Sequence, residues 1–193
     1  MSRRLAQGFE GDTARRRRDA VEAVVALGAN LGDRAETMST AIKELARVPL
    51  VGAVRVSEPI ETVAVKQDGP DAAAPAYLNA VAILTTRLAP SVLLGYLHAI
   101  EERHGRTRSG RRSANEPGWE DRTLDLDLIA YGDLVSDDPR LLLPHPRAAE
   151  REFVLEPWLA VDPDAILPGT GRVDEALGRL REANRRSTDE AAR

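Results

Sequence analysis

The first stretch that reads as structure is 21–27, Val-Glu-Ala-Val-Val-Ala-Leu, an apolar run of strand length. The turn at 28–33, Gly-Ala-Asn-Leu-Gly-Asp, opens a helix with Ala35, Met38, Ile42 and Leu45 at helical spacing. Asp33 or Asn30 is placed to cap that helix, and Pro49 ends it. Positions 50–57 alternate as a strand. A loop over 58–76, with Gly69, Pro70 and Pro75, leads to a second aliphatic strand at 77–86. Pro90 starts a second helix whose Leu93, Leu97 and Ile100 share one stripe, and Gly105 closes it. After a polar, basic loop at 106–118 the pattern predicts a strand over 123–131. Beyond it, prolines at 144, 146, 157, 163 and 168 predict irregular chain with one short helix near 174–181.

The order β-α-β-β-α-β plus a C-terminal extension is the ferredoxin-like arrangement: an α+β fold with one antiparallel sheet and both helices on one face. Residues 21–182 are read as the domain, 1–20 as a disordered leader and 183–193 as a fraying tail. The leader holds the run Arg15, Arg16, Arg17, Arg18. A solvated segment or a contact to nucleic acid or a membrane surface both fit that run.

Composition narrows the function classes. Among 193 residues, 27 Lys+Arg face 31 Asp+Glu, a net charge of -4, which argues against a general nucleic-acid binder. There is no cysteine, so disulfides, thiol catalysis and cysteine-zinc sites are excluded. No uninterrupted apolar run reaches membrane-spanning length, and the charged N-terminus lacks the apolar stretch of a secretory signal. The expectation is a soluble, cytoplasmic domain.

The sharpest chemical feature is Arg122-Thr123-Leu124-Asp125-Leu126-Asp127-Leu128-Ile129. On a strand, Asp125 and Asp127 share one face while Leu124, Leu126 and Leu128 point into a core. Their Cα atoms would lie about 6.7 Å apart. Two like charges on a poor strand former suit magnesium, which takes carboxylate oxygens and bridges to phosphates. A solvated sheet face is the other reading. Arg106, Arg108, Arg111, Arg112 and Arg122 precede the pair, and arginine clamps polyphosphate oxygens. Cations and carboxylates converging on one site are what phosphoryl transfer needs. Trp119 and the Tyr77/Asn79 pair on one strand face either grip a flat heterocycle or edge the core. The turn at 28–32 lacks the Walker Gly-Lys-Ser/Thr and reads as structural.

In this order the pieces resemble the 6-hydroxymethyl-7,8-dihydropterin pyrophosphokinase family of folate biosynthesis. The resemblance rests on Ala26 through Asp33, Tyr77-Leu78-Asn79-Ala80, Gly105-Arg106-Thr107-Arg108, Trp119 with Arg122 through Asp127, and Leu143-Pro144-His145-Pro146-Arg147 through Arg151 and Phe153. It implies a monomer that transfers pyrophosphate from MgATP to the pterin hydroxymethyl group and releases AMP. It implies two Mg2+ ions on Asp125 and Asp127, with Arg106 and Arg122 neutralising the transferring group. Arg108, His145 and Arg151 would hold the triphosphate or nucleotide. His98 and Glu101 occupy nucleotide-contacting positions, and Leu128, Arg140 and Leu142 would line the adenosine pocket. Tyr77 and Phe153 would sandwich the pterin, Asn79 would bond its edge, and Thr62, Val63 and Val65 would supply further contacts. Trp119 would close over both substrates. The chain departs from the family in Trp119-Glu120-Asp121-Arg122, where Trp-Gly-Pro-Arg is usual, and in Thr62-Val63-Ala64-Val65-Lys66, where Thr-x-Pro-x-Gly is usual. A ferredoxin-like RNA-binding module and a non-catalytic homologue are the rivals; the negative charge and the intact acids and arginines argue against them.

Overall fold

The computed structural model describes residues 19–66, 69–71, 75–105 and 123–191. Their elements run β1 (Val21–Ala29), α1 (Arg34–Leu45), β2 (Val51–Val56), β3 (Ile60–Thr62), β4 (Ala64–Lys66), β5 (Gly69–Asp71), β6 (Tyr77–Thr86) and α2 (Pro90–Arg103). Then follow β7 (Asp125–Tyr131), β8 (Ser136–Asp138), β9 (Leu141–Leu143), a 3-10 turn (Ala148–Glu150), α3 (Glu152–Val161), β10 (Ile166–Leu167), β11 (Gly171–Arg172) and α4 (Val173–Ala191).

The main sheet has the order β2-β6-β1-β7, with β3 pairing the other half of β6, and its pairs are antiparallel. This is the ferredoxin-like α+β arrangement that the element order predicts. Ser57 hands β6 from β2 to β3. Its N–H donates to Val81 O and its Oγ accepts from Val81 N–H.

One sheet face carries Ala23, Val25, Leu27, Leu84, Leu124, Leu126 and Leu128, packed on Met38, Ala41 and Leu45 of α1 and Leu93, Leu97 and Ile100 of α2. The helical spacing of those residues puts them on one stripe. Asp33 caps α1, its Oδ1 accepting from Glu36 N–H at 2.9 Å, and Gly105 ends α2 with φ of +85°.

The second face differs from the expected picture. Val24, Val81, Ile83 and Ile129 lie under Val154, Leu155 and Trp158 of α3 and Val173, Ala176 and Leu177 of α4. The C-terminal part is therefore a second helical layer rather than irregular chain with one short helix. Pro157 disguises α3 because proline breaks most helices, yet here it is buried inside one. The outer half of α4 is exposed and polar, so it carries no apolar period, and ion pairs such as Glu182–Arg186 run along it instead. The expected loop at 58–76 also holds three short strands; their length and their Gly and Pro content leave no alternation to read.

Candidate active site

The register of three strands builds the floor of the site. On the second face, Asn79 of β6 lies opposite Gly28 of β1, and Gly28 opposite Asp125 of β7. The next rung is Val81, Ala26 and Asp127. Leu124, Leu126 and Leu128 fill the first core as their alternation requires, leaving Asp125 and Asp127 half-buried on the opposite side. A bulge in β7 follows: Val25 pairs Leu128 but Val24 pairs Ala130. Bulges recur beside functional sites because they re-aim the strand.

Asp127 is the hub of a charged cluster. Its Oδ2 accepts from Arg151 Nη1 at 2.8 Å, with the two side chains 30% and 15% exposed. His145 Nε2 lies 3.8 Å from the same oxygen. His145 Nδ1 accepts from Arg147 N–H at 3.1 Å, so the neutral ring carries its proton on Nε2, facing Asp127. Burial depresses the His145 pKa below its ordinary value of 6.5, outweighing the pull of Asp127 in the other direction. The stability that neutral His145 confers is therefore complete above about pH 6.5 and is lost as pH falls through the folded value. Thermal unfolding checks this. Between about pH 7 and pH 5 the native protein should lose more stability than His145→Gln, and equal losses would contradict it.

A pocket of about 380 Å³ lies between β3, the start of β6 and α3, within the usual range for small-molecule sites. Ile60, Thr62, exposed Val63, Tyr77 and Phe153 line it together with the carboxylates of Glu61, Glu152 and Glu156. Thr62 Oγ1 accepts from Asn79 Nδ2 at 2.7 Å, which ties the buried carboxamide to the pocket wall. The Arg151 guanidinium stands 5.8 Å from the Phe153 ring centroid while bonded to Asp127, so one side chain joins pocket and carboxylates. Among the described residues no three His, Cys, Asp or Glu side chains group as a metal site. Two carboxylates on one strand face instead match the donor set of magnesium, which completes its shell with water and substrate phosphates.

The remaining expected site residues among those described lie on α2, β7, the β8–β9 hairpin and β4. His98 is half-buried on α2, while Glu101 is fully buried and its Oε1 accepts from Leu126 N–H at 2.9 Å. Leu128 is enclosed in the first core. Arg140 is exposed and bonds Asp138 across its own hairpin, and Leu142 pairs Asp137 there. Val65 pairs Pro70 between β4 and β5. Arg106, Arg108, Trp119 and Arg122 lie outside the described residues.

Two contributors escape a reading of sequence alone. A Cβ on Gly28 would meet Asn79 Oδ1 at 3.2 Å and Asp125 Cβ at 4.0 Å, so this glycine leaves space between Asn79 and Asp125. The signal is the taper Val24, Ala26, Gly28 along one face of β1. Gly28→Ala should weaken binding of the heterocycle expected from the sequence by about 1 kcal/mol, the low end of overpacking costs, and binding of the expected magnesium nucleotide less; calorimetry with both decides, and equal losses would contradict it. Arg34 is the second. It donates to Ala76 O at 2.6 Å and Glu61 Oε1 at 2.8 Å, tying α1 to the pocket wall.

The chain is similar to known proteins in sequence and in fold. Residues 24–163 match the family model described as 7,8-dihydro-6-hydroxymethylpterin-pyrophosphokinase (HPPK). The chain is 35% identical over 158 residues to a 2-amino-4-hydroxy-6-hydroxymethyldihydropteridine pyrophosphokinase of Haemophilus influenzae, covering 81% of this chain and 91% of that one. A protein of the same name from Pseudomonas aeruginosa is 38% identical, with 79% and 88% covered. One from Synechocystis is 39% identical, with 78% and 71% covered. Among solved structures, an HPPK-DHPS in complex with substrates aligns with a TM-score of 0.64 at 10% identity, over 86% of this chain and 44% of that one. Wild-type Plasmodium falciparum HPPK-DHPS aligns with a TM-score of 0.59 at 12% identity, over 83% and 41%. This chain thus spans less than half of those HPPK-DHPS chains, and at that identity the likeness is one of fold.

Proposed function

Because the chain belongs to the 7,8-dihydro-6-hydroxymethylpterin-pyrophosphokinase family, we propose that its pocket and paired carboxylates carry out that family's reaction with the residues named above. The reaction moves the pyrophosphoryl group of ATP to hydroxymethyldihydropterin in folate biosynthesis. The observation that supports this division of labour is the Asn79-Gly28-Asp125 rung, whose Asn79 is bonded to Thr62 of the pocket wall, so that the sheet links pocket wall and acids.

In this reading Tyr77 and Phe153 stack on the pterin and Asn79 bonds its edge. The pterin hydroxyl then points toward Asp125 and Asp127. These carboxylates would hold Mg2+, whose charge, when bound with ATP, offsets that of the phosphates. The hydroxyl oxygen forms a bond to the β-phosphorus and gives up its proton to water, the bond from that phosphorus to the α,β-bridging oxygen breaks, and AMP leaves with the electron pair. Arg151, already joining Asp127 to Phe153, and His145 beside it are the described groups nearest the triphosphate's place. Arg106, Arg108 and Arg122 add positive charge, Trp119 closes over both substrates, and His98, Arg140 and Leu142 contact the nucleotide. All these groups come from one chain, so the reading needs no second subunit. No helix among the described residues is long and apolar enough to cross a membrane. ATP as substrate fits a cytoplasmic location, and the net charge of -4 fits small anions held locally rather than nucleic acid.

The test follows one phosphorus atom. With ATP labelled in its β-phosphate, the label should appear in the pterin product while AMP stays unlabelled. Label recovered in ADP or in orthophosphate would contradict the reading.

A further inference from the structure

β7 carries both acids, yet among the described residues it is the last strand of its sheet, with β1 on one side and no strand of that sheet on the other. An outward N–H on such an edge must find water or a side chain. Leu126, midway between Asp125 and Asp127, is almost fully enclosed, and its N–H donates to Glu101 Oε1 at 2.9 Å. Glu101 is itself fully buried. It falls four residues after Leu97 and eight after Leu93, on the apolar stripe of α2, where another leucine would extend the packing without the cost of burying a carboxylate. Further along the same strand, His145 N–H donates to Ile129 O at 2.8 Å, beside the bulge.

We propose that Glu101 is a positioning residue: it stands in for a neighbouring strand on the free edge of β7 and so fixes the backbone between Asp125 and Asp127. This goes beyond a nucleotide contact, and it rests on the proposed function only in taking those acids as the cation-holding pair. Two carboxylates that share cations need their spacing held by the surrounding structure, and the sheet supplies that from one side alone. Glu101 holds the other.

Amide exchange, steady-state kinetics and pterin calorimetry on the whole chain test it together. In the native protein the Leu126 amide should exchange as slowly as the amides of central β1. Glu101→Ala should speed that exchange about tenfold or more and raise the Mg2+ concentration for half-maximal turnover by about tenfold, leaving pterin affinity within about twofold. Glu101→Gln keeps an acceptor oxygen and should bring both values within about threefold of native. The proposal is overturned if the native Leu126 amide exchanges as fast as an open edge. It is also overturned if Glu101→Gln keeps that amide protected yet loses as much turnover as Glu101→Ala, since the carboxylate would then act on substrate directly. Should Glu101→Ala not fold, native exchange and the Glu101→Gln kinetics still decide. Failure of the metal reading would look different: turnover would survive loss of the aspartates while Leu126 stayed protected.

Discussion

Asp127→Asn and Asp125→Asn should each lower turnover a hundred- to a thousandfold, roughly 3–4 kcal/mol in the barrier, with the fold intact. The fold survives because both side chains are half-buried on the face opposite the leucines that pack β7. In the proposed reading turnover falls because these carboxylates would hold magnesium against the triphosphate. Asp127 also accepts from Arg151 at 2.8 Å, so its amide leaves a mostly buried guanidinium with a weaker partner. Asp127→Asn should therefore also cost about 1 kcal/mol or more of stability. Steady-state AMP release and thermal unfolding check both points. Normal turnover in both variants, with unchanged magnesium dependence, would sink the assignment of the pair.

Phe153→Ala should weaken pterin binding by about 1–3 kcal/mol, the range for losing a base-aromatic stack, and nucleotide binding much less. Phe153 lines the pocket together with Thr62, Val63 and Tyr77. Its ring also lies under the Arg151 guanidinium at 5.8 Å, so a small secondary loss for the nucleotide is expected through that contact. Calorimetry with a non-hydrolysable ATP analogue and Mg2+ present separates the two. An equal loss for pterin and nucleotide would make Phe153 a core residue rather than a pocket wall. Tyr77, buried in the lining of the same pocket, should follow the same pattern when changed to Leu.

What the sequence makes legible follows from the strength of each local pattern. The strand 77–86 coincides with β6 and α2 carries its expected stripe, because aliphatic runs and helical spacing there have no competing reading. On α1, Met38, Ile42 and Leu45 face the core as expected, but Ala35 is exposed and Ala41 is buried instead. The facing of Asp125 and Asp127 is legible because three leucines alternate with them. The second helical layer is not legible. Pro157 interrupts the reading of α3, and the later part of α4 has no apolar face. Nor are β3, β4 and β5, each three residues long. At the site, individual side chains are easier to name than their joint geometry. Asn79 and Asp125 stand out by type, but only the register shows Gly28 between them. The resemblance places Glu101 among nucleotide contacts; the tertiary packing adds that its carboxylate is buried and accepts from the β7 backbone. The regular spacing of Leu93, Leu97 and Glu101 is a sequence signal consistent with that burial.

The most direct measurement of the account is AMP release from ATP by the whole chain, with Mg2+ and 6-hydroxymethyl-7,8-dihydropterin each present or withheld. A pocket and a carboxylate pair linked through one sheet predict AMP, and an equal amount of pterin pyrophosphate, when both are present, and neither product when either is missing. AMP formed without the pterin, or product formed at the same rate after magnesium is chelated, would contradict it.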